Sequence, residues 1–509
     1  MADTRYNEWL QRFVATNVGL RPSALEPSAG DPTPIERREG DGRVAWTIVS
    51  GRFWIETLGC PKNQVDSDKL TGKLLADGME PASSAGDADL VLVNTCAFIE
   101  SARQESIDVT LALADGRKAG ARVVVTGCMA ERYGDELAQA LPEVDRVVGF
   151  GGAIHDLDHD HDHDHDHVHD HDHDHGVATA PLGGGSTAVP VVLGRTRSGP
   201  TVPAFDLLNL PRPKSAVPWA YVKIAEGCDR NCGFCAIPSF RGPQRSRSIA
   251  QILDEVDALA VQEVVLVAQD LASYGKDRPT ELGAGSIVGL VEAVAARVRR
   301  TRLLYLYPSD LSDALIDVIC AQTNVPYFDL SLQHVSKPLL RRMRRWGDGD
   351  RFLRRIEDIR RREPSAAFRS NFIVGYPGET EEDHDQLLSF VREARLDWCG
   401  FFSYSPEEGT YAYDLPGRVP SSLMRERLDE LTELQDAITA QSRDALIGTD
   451  IEVLVDRPGI GRSVREAPEI DGEVHLPLDL AVGEFHSVRV TSAEGPDLHA
   501  VVPELAARR

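Results

Sequence analysis

Cysteine is scarce in this chain, eight in 509 residues, too few for a disulfide scaffold. Long apolar runs are missing as well: nothing approaches the roughly 18 consecutive apolar residues of a membrane span. The first twenty residues, MADTRYNEWLQRFVATNVGL, do not join a basic start to an uninterrupted apolar core, so no secretory leader is expected. Positive charge is outweighed, with 55 Lys and Arg against 80 Asp and Glu and a net charge of -25. That balance excludes a generally basic nucleic-acid coat protein and makes a basic macromolecule the more natural electrostatic partner. The expectation is a cytoplasmic enzyme with no membrane and no specific DNA partner, in a reducing compartment where clustered thiols read as metal ligands or redox groups.

Apolar residues, 42% of the chain, suffice to build cores, and at about 150 residues per domain the length fits roughly three. Residues 1–45 mix proline, glycine and charge around one short helical candidate, Asn7 to Thr16, and read as an N-terminal extension. Over residues 46–152 the short β-branched runs FWIET, DLVLVNT, RVVVT and VDRVVG alternate with the helical periods VDSDKLTGKLLADG, SARQESIDVTLALADGRKAG and AERYGDELAQAL. That alternation predicts an α/β domain with a parallel sheet of βαβ units. Residues 153–213 break it. They hold ten His and nine Asp within 155–175, then six Gly and six Pro over 176–213, a composition too poor in apolar surface to order itself and read as a linker.

The alternation resumes over residues 214–446. Six strand candidates, AYVKI, EVVLVAQ, RLLYLY, YFDLSL, SNFIVG and GFFSYS, are separated by segments such as IAQILDEVDALAVQ and EEDHDQLLSFVREARL. They predict an open, partial TIM-type β/α barrel better than a doubly wound sheet. A helix from Ser421 to about Leu446 follows. In residues 447–509 the alternating runs TDIEVLVD, GEVHLPLD and FHSVRVTSA predict a small all-β barrel.

Six of the eight cysteines fall into two groups. Cys228, Cys232 and Cys235 lie in the loop IAEGCDRNCGFCAIPSFRG after the strand AYVKI, where one tight loop aims three thiolates at one point, as iron–sulfur clusters require. Three ligands leave a fourth iron open to chelate S-adenosylmethionine for reductive cleavage to a 5'-deoxyadenosyl radical. Structural zinc needs a fourth protein ligand, and none with zinc-finger spacing follows. Cys60, Cys96 and Cys128 lie 36 and 32 residues apart, each directly after a strand candidate. A βαβ crossover takes about 30 residues, so the spacing sets all three at the carboxyl edge of neighbouring parallel strands. Unrelated buried thiols would not share one position in three consecutive units, and a second three-thiolate cluster follows. Cys320 and Cys399 fit core positions.

The residues now resemble a known family, the radical S-adenosylmethionine methylthiotransferases, over about residues 50–509. The order matches: a methylthiotransferase domain with three dispersed cysteines, a radical domain with CxxxCxxC, and a terminal TRAM barrel. GCPKNQVDSD around Cys60, AYVKIAEGCDRNCGFCAIPSFRG, FIVGYPGET from Phe372 and APEIDG from Ala467 are similar to the branch that modifies small-subunit ribosomal protein S-twelve; the transfer-RNA branches carry a context resembling GCQMN. The resemblance implies β-methylthiolation of one aspartate of that protein, free or in the 30S subunit. It implies two 4Fe-4S clusters, two S-adenosylmethionines per turnover, and an electron donor such as flavodoxin or ferredoxin. Cys60, Cys96 and Cys128 would hold the auxiliary cluster, and Cys228, Cys232 and Cys235 the radical cluster.

Gln269, Asp270, Gln333, His334 and Gly375 to Gly378 lie at barrel strand ends and are candidates for holding the nucleoside, or equally for capping the next helix. Residues 449–509 carry 12 Asp and Glu against 6 Arg, the wrong sign for phosphate, which favours a basic protein substrate over an adenosine of transfer RNA. The His/Asp tract stands outside the family pattern: it reads as a solvated insertion, as a site for a divalent metal, or, if it were the chain's purpose, as a metal buffer. The Arg clusters near Met343 and Ile359 read as the solvated side of barrel helices or as a face toward phosphate.

Overall fold

The computed structural model describes residues 51–150, 206–282, 286–321 and 324–503; the helical candidate at Asn7 to Thr16 and the His/Asp tract lie outside them. A first sheet contains β1 (Arg52–Thr57), β2 (Glu80–Pro81), β3 (Leu90–Thr95), β4 (Arg122–Gly127) and β5 (Arg146–Val147) in the order β2-β1-β3-β4-β5, every pair parallel. Central β3 is buried at all six positions, as a strand covered on both faces requires. The helices α1 (Pro61–Ala76), α2 (Glu100–Gly116) and α3 (Cys128–Ala140) follow β1, β3 and β4. Helix α1 starts four residues before the apolar period at Val65 because Pro61, at its first turn, is already set for helical φ. The exposed pair β2 carries no apolar signal and was not foreseen.

The next strands are β6 (Trp219–Lys223), a two-stranded ribbon of β7 (Ala225–Glu226) and β8 (Arg245–Ser246), then β9 (Glu263–Val267), β10 (Arg300–Leu303), β11 (Tyr327–Gln333), β12 (Ala367–Val374) and β13 (Trp398–Ser403). Parallel sheets β10-β9-β6 and β11-β12-β13 are joined by a bridge between Leu306 and Leu330. All six expected strands therefore form one open barrel wall whose edges are β6 and β13. Outward side chains such as Leu266, Phe328 and Phe372 pack against Ile252, Leu290, Ile316, Ile356 and Leu388 of the surrounding helices. Ser248 and Thr380 close capping boxes at two of those helices. Inside the wall, Tyr221, Val265, Leu304, Tyr327 and Trp398 pack with Val65 of α1 and with Ala467, so the neighbouring domains fill the barrel's interior.

The final domain is a closed barrel of β14 (Asp450–Arg457), β15 (Ile460–Arg462), β16 (Val474–His475), β17 (Phe485–Glu494) and β18 (Asp497–Val501), in the order β14-β15-β16-β18-β17. The run GEVHLPLD contributes only the two residues of β16, while β15 and β18 are too short to announce themselves by alternation. The end of the expected linker is packed: Leu207 and Leu208 are buried, and buried Lys69 of α1 donates to the Leu208 carbonyl. Cys320 and Cys399 pack against the main core, each half-buried. No helix of the described residues is long and apolar enough to cross a membrane.

Glu263, at the start of β9 and fully buried, fastens the two barrels together. Its carboxylate accepts from Arg302 at 2.8 Å and from Arg462 of β15 at 3.2 Å. Burial alone would push the carboxyl up, but Arg462, Arg302 and Arg300 outweigh it and hold it at about 2. Glu263→Gln would leave buried guanidiniums short of a counter-charge, an expected loss of about 3–5 kcal/mol, read from urea denaturation of the full chain. The folded value lies below the unfolded one of about 4.3, so this stabilisation is complete above that pH and fades as pH falls toward 2. The variant should lack that segment of the acid profile, and equal stability at neutral pH would refute the assignment.

Candidate active site at the domain junction

Cys60, Cys96 and Cys128 emerge where the spacing set them, at the carboxyl ends of the adjacent strands β1, β3 and β4. Cys60 is the N-cap of α1 and Cys128 the first residue of α3, so two of the three thiols sit at helix N-termini, where the aligned peptide dipoles favour negative charge. Gly59, at φ +95°, lets the loop of Cys60 lie directly on Cys96: a Cβ there would stand 2.7 Å from the Cys96 Cβ and 2.9 Å from its Sγ. Asn63 ties the strands beneath. Its Nδ2 donates to the carbonyls of Leu58 and Thr95 at 2.8 and 3.1 Å.

The second triplet lies in the loop between β7 and β8. Cys228 is buried, whereas Cys232 and Cys235 are half-buried. The Gly233 N–H donates to the Met343 carbonyl at 2.8 Å, and the Ala412 N–H donates to the Gly233 carbonyl at 2.7 Å, so the loop is stitched to segments following β11 and β13. Among the described residues no three His, Cys, Asp or Glu side chains converge on a single-ion site. A cubane takes its thiolates on different irons and does not need that convergence.

From the first triplet a buried polar chain runs into the barrel domain, and of its members the sequence singled out only Gln269 besides Cys128. Arg241, from the short helix Ile237–Arg241, donates through Nη2 to Asn63 Oδ1 at 2.8 Å and to Cys128 Sγ at 3.0 Å. Its Nη1 donates to Asp66 and Glu226, both at 3.0 Å. Lys223, at the end of β6, pairs with Asp66 and, at 2.7 Å, with Glu226. The other oxygen of Glu226 accepts from Gln269. Burial would raise the Glu226 carboxyl, but Arg241 and Lys223 hold it at about 2. On the first triplet, burial opposes ionisation of Cys60, yet Lys62, Arg241 and two backbone N–H groups bring its thiol below the usual range. Burial, reinforced by the neighbouring thiols, pushes Cys96 up, and burial raises Cys128. In the second triplet burial pushes Cys228 to about 11 and Cys235 to about 12. A charge-compensating ligand is what such thiols require before they ionise.

The strand-end candidates differ in their settings. Gln269 and Asp270 follow β9, and each keeps one buried oxygen without a hydrogen-bond partner, Oε1 and Oδ1. Asp270 Oδ2 accepts from Arg230 Nε of the cysteine loop at 2.6 Å. Gln333 ends β11 at φ +71°. His334 is fully buried, its Nδ1 accepting the Ser336 N–H at 3.1 Å; burial holds the ring neutral, at about 3. Gly375, at φ +83°, admits Met424 of the long helix Ser421–Asp444 into the space a Cβ would fill. Asn371 of β12, not singled out in the sequence, also keeps a buried oxygen unpartnered.

The N-terminal domain spans the open edge of the barrel. On the β6 side it is bound by Lys223 and Arg241. On the β13 side, buried Glu407 accepts from Arg103 of α2 at 2.5 Å and from Arg132 of α3 at 2.6 Å. Lys62 reaches over the Tyr305 ring at 3.4 Å, and a narrow crevice of about 20 Å³ beside Cys60 is shared with Tyr221 and Glu469.

Residues 52–149 match the model of a family described as Uncharacterized protein family UPF0004, residues 222–391 that of the Radical SAM superfamily, and residues 447–502 that of the TRAM domain. A protein of Kineococcus radiotolerans named ribosomal protein uS12 methylthiotransferase RimO is 41% identical over 468 residues, covering 87% of this chain and 96% of its own length. One of the same name from Salinispora tropica is 40% identical over 510 residues, covering 93% and 97%. Among solved structures, the radical S-adenosylmethionine methyltransferase TsrM of Kitasatospora setae has a TM-score of 0.40 at 14% identity, over 71% of this chain and 73% of that one.

Removing the Arg241 side chain leaves Asp66, Glu226 and Asn63 without their shared donor and Cys128 without its cation. If each triplet holds one iron–sulfur cluster, Arg241→Ala is expected to retain that at Cys228, Cys232 and Cys235 but lose the other, halving iron and acid-labile sulfide per chain after anaerobic purification. An undiminished iron content would refute this role.

Proposed function

Because the chain belongs to the RimO family of ribosomal protein uS12 methylthiotransferases, we propose that it transfers a methylthio group to the β-carbon of an aspartate side chain of uS12, free or in the 30S subunit. The observation that carries the reading is the junction: two cysteine triplets, each on its own domain, with a buried chain running from Cys128 of the first through Arg241 and Glu226 to Gln269 of the domain that carries the second.

Cys228, Cys232 and Cys235 would hold the radical 4Fe-4S cluster, and Cys60, Cys96 and Cys128 the auxiliary one. The donor sets fit: three thiols each, with a cation at one sulfur of each set, Arg241 on Cys128 at 3.0 Å and Arg345 on Cys232 at 3.2 Å. When bound, the clusters and two S-adenosylmethionines per turnover supply reductive carbon–sulfur cleavage, hydrogen abstraction and the methylthio group. The unpartnered oxygens of Gln269, Asp270 and Asn371 are acceptors for a polar ligand, since buried polar atoms are ordinarily bonded. Gln269 and Asp270 are thus the best supported nucleoside contacts, while Gln333, His334 and Gly375 shape the strand ends around them. Glu407 with Arg103 and Arg132, and Val65 inside the wall, close the barrel edge and keep water from reactive intermediates.

A one-electron donor such as flavodoxin or ferredoxin completes the reaction, and the cytoplasm is its place. The relatives' shared name favours the protein substrate over transfer RNA. Charge does too: Arg457, Arg462, Arg465 and Arg489 of the last domain each pair with a carboxylate, leaving an acidic surface for a basic protein. The His/Asp tract keeps an affinity for divalent metal as an accessory property.

In a strain lacking this chain, mass spectrometry of uS12 should show the aspartate bare, and the wild-type gene should restore its methylthio group. Cys96→Ala and Cys232→Ala should each fail to restore it and each lose one cluster. Modified uS12 in the deletion strain would overturn the proposal.

A further inference from the structure

Residues 337–362 carry eleven Lys and Arg against four Asp and Glu, a block of positive charge on an acidic chain. The block is not merely a solvated fringe. Arg360 donates to the carbonyls of Ala394 and Arg395 at 2.7 and 2.8 Å, satisfying the end of a neighbouring helix. Arg345 donates to Cys232 Sγ at 3.2 Å and lies 4.3 Å from the centre of the Tyr307 ring. The next residue, Trp346, is 44% exposed. It shares with Pro308 and Leu311 the apolar floor of a groove of about 390 Å³ whose rim includes Arg351, Arg354 and Arg361.

We propose that this groove is the docking surface for an acidic, low-potential one-electron carrier protein, which passes its electron to the cluster at Cys232 by way of the Trp346–Arg345 segment. The inference rests on the reading of Cys228, Cys232 and Cys235 as a radical cluster. The transfer balances simply: the carrier is oxidised by one electron, the cluster is reduced by one, and no atom moves. A basic rim around an exposed aromatic suits an acidic protein patch, because complementary charge speeds encounter and fixes orientation. The same rim repels a basic ribosomal protein, so the carrier and the substrate need not compete for one face.

A nucleic-acid strand would also answer to arginines and an exposed tryptophan. Two observations favour the protein carrier. Trp346 in the groove adjoins Arg345, which donates to a sulfur of the cluster loop, a link that RNA binding would not require. Its charges are also interleaved: Asp358 lines it, and Arg351 and Arg355 pair with Asp348 and Asp313 at 3.4 and 2.7 Å, a pattern suited to a mixed protein surface rather than a run of phosphates.

The test compares the cluster-loaded enzyme with its Arg354→Glu/Arg361→Glu variant, using flavodoxin as the probe. Flavodoxin should bind the variant about tenfold more weakly at about 0.05 M salt, and wild-type binding should itself weaken steadily toward about 0.5 M. Methylthiolation driven by reduced flavodoxin should fall about tenfold in the variant, while that driven by dithionite, which needs no docking, stays at the wild-type rate. Flavodoxin affinity that ignores both salt and the substitutions overturns the proposal, with no dependence on the variant's folding. A variant that binds flavodoxin normally but fails on 30S subunits under dithionite assigns the groove to RNA and equally overturns it. Loss of the radical cluster reading would show separately, as an enzyme in which Cys232→Ala leaves the iron content unchanged.

Discussion

The buried Arg241 guanidinium is the constraint on which the two halves of this molecule depend. A single planar cation meets an amide oxygen and a thiol of the N-terminal domain on one side and carboxylates of both domains on the other. Burying a charge is tolerable only when its donors are used, and the fixed fork of N–H donors of arginine suits a site with four partners. Lysine, with one point charge, would satisfy either the carboxylates or the Asn63–Cys128 pair, not both. The relative position of the two cysteine triplets is therefore fixed by hydrogen-bond geometry in addition to the apolar packing of Cys128 and Met129 with Ala236 and Phe240, which alone slides more easily. For chemistry that hands a group from one centre to another, that fixed spacing matters more than the stability it adds.

An open barrel has two unpaired edges, and each is a liability for a protein that must shelter a radical. Here the N-terminal domain spans them. Its α1 packs on β6 and inserts Val65 into the interior, while α2 and α3 clasp Glu407 beyond β13. The C-terminal domain works from another side, sending Ala467 into the interior and Arg462 to Glu263. The wall of the reaction chamber is thus contributed by all three domains, and none of them alone would exclude solvent.

Much of this was legible before any coordinates. Strands such as β3, β6 and β9 are buried at every position, so their apolar character survives as an unbroken signal. The three dispersed cysteines were legible because a βαβ unit has a nearly fixed length, which converts a sequence interval into a position on a sheet edge. The buried ion pairs escaped detection for one reason: their meaning lies in a partner far along the chain. Glu407 takes Arg103, 304 residues away, and Arg241 takes Asn63, 178 away. Read singly, such residues look like surface polar groups, because polar residues mostly are exposed. Arg345 was hidden among neighbours of the same type, and Leu207 and Leu208 in a stretch whose overall composition argues against order. The short β15 and β18 were missed because two or three alternations do not separate a strand from a turn.

The distribution of charge extends this argument from the interior to the surface. In the last domain the described arginines are consumed by internal or neighbouring carboxylates, so its outward field is negative. Around Trp346 the balance is reversed over one short block that also touches a cluster ligand. A net charge of -25 conceals this segregation, because opposite local fields cancel in the sum while acting separately at distances below the Debye length, about 8 Å at physiological ionic strength. A protein that must recognise a basic substrate and also receive electrons benefits from keeping the two signs on different domains: each partner is then attracted to its own face and repelled from the other. The last domain, at -6, and the His/Asp tract, at -9, supply only 15 of the 25 net negative charges; the rest of the chain is acidic as well, and the basic block stands out against it as a local reversal of sign.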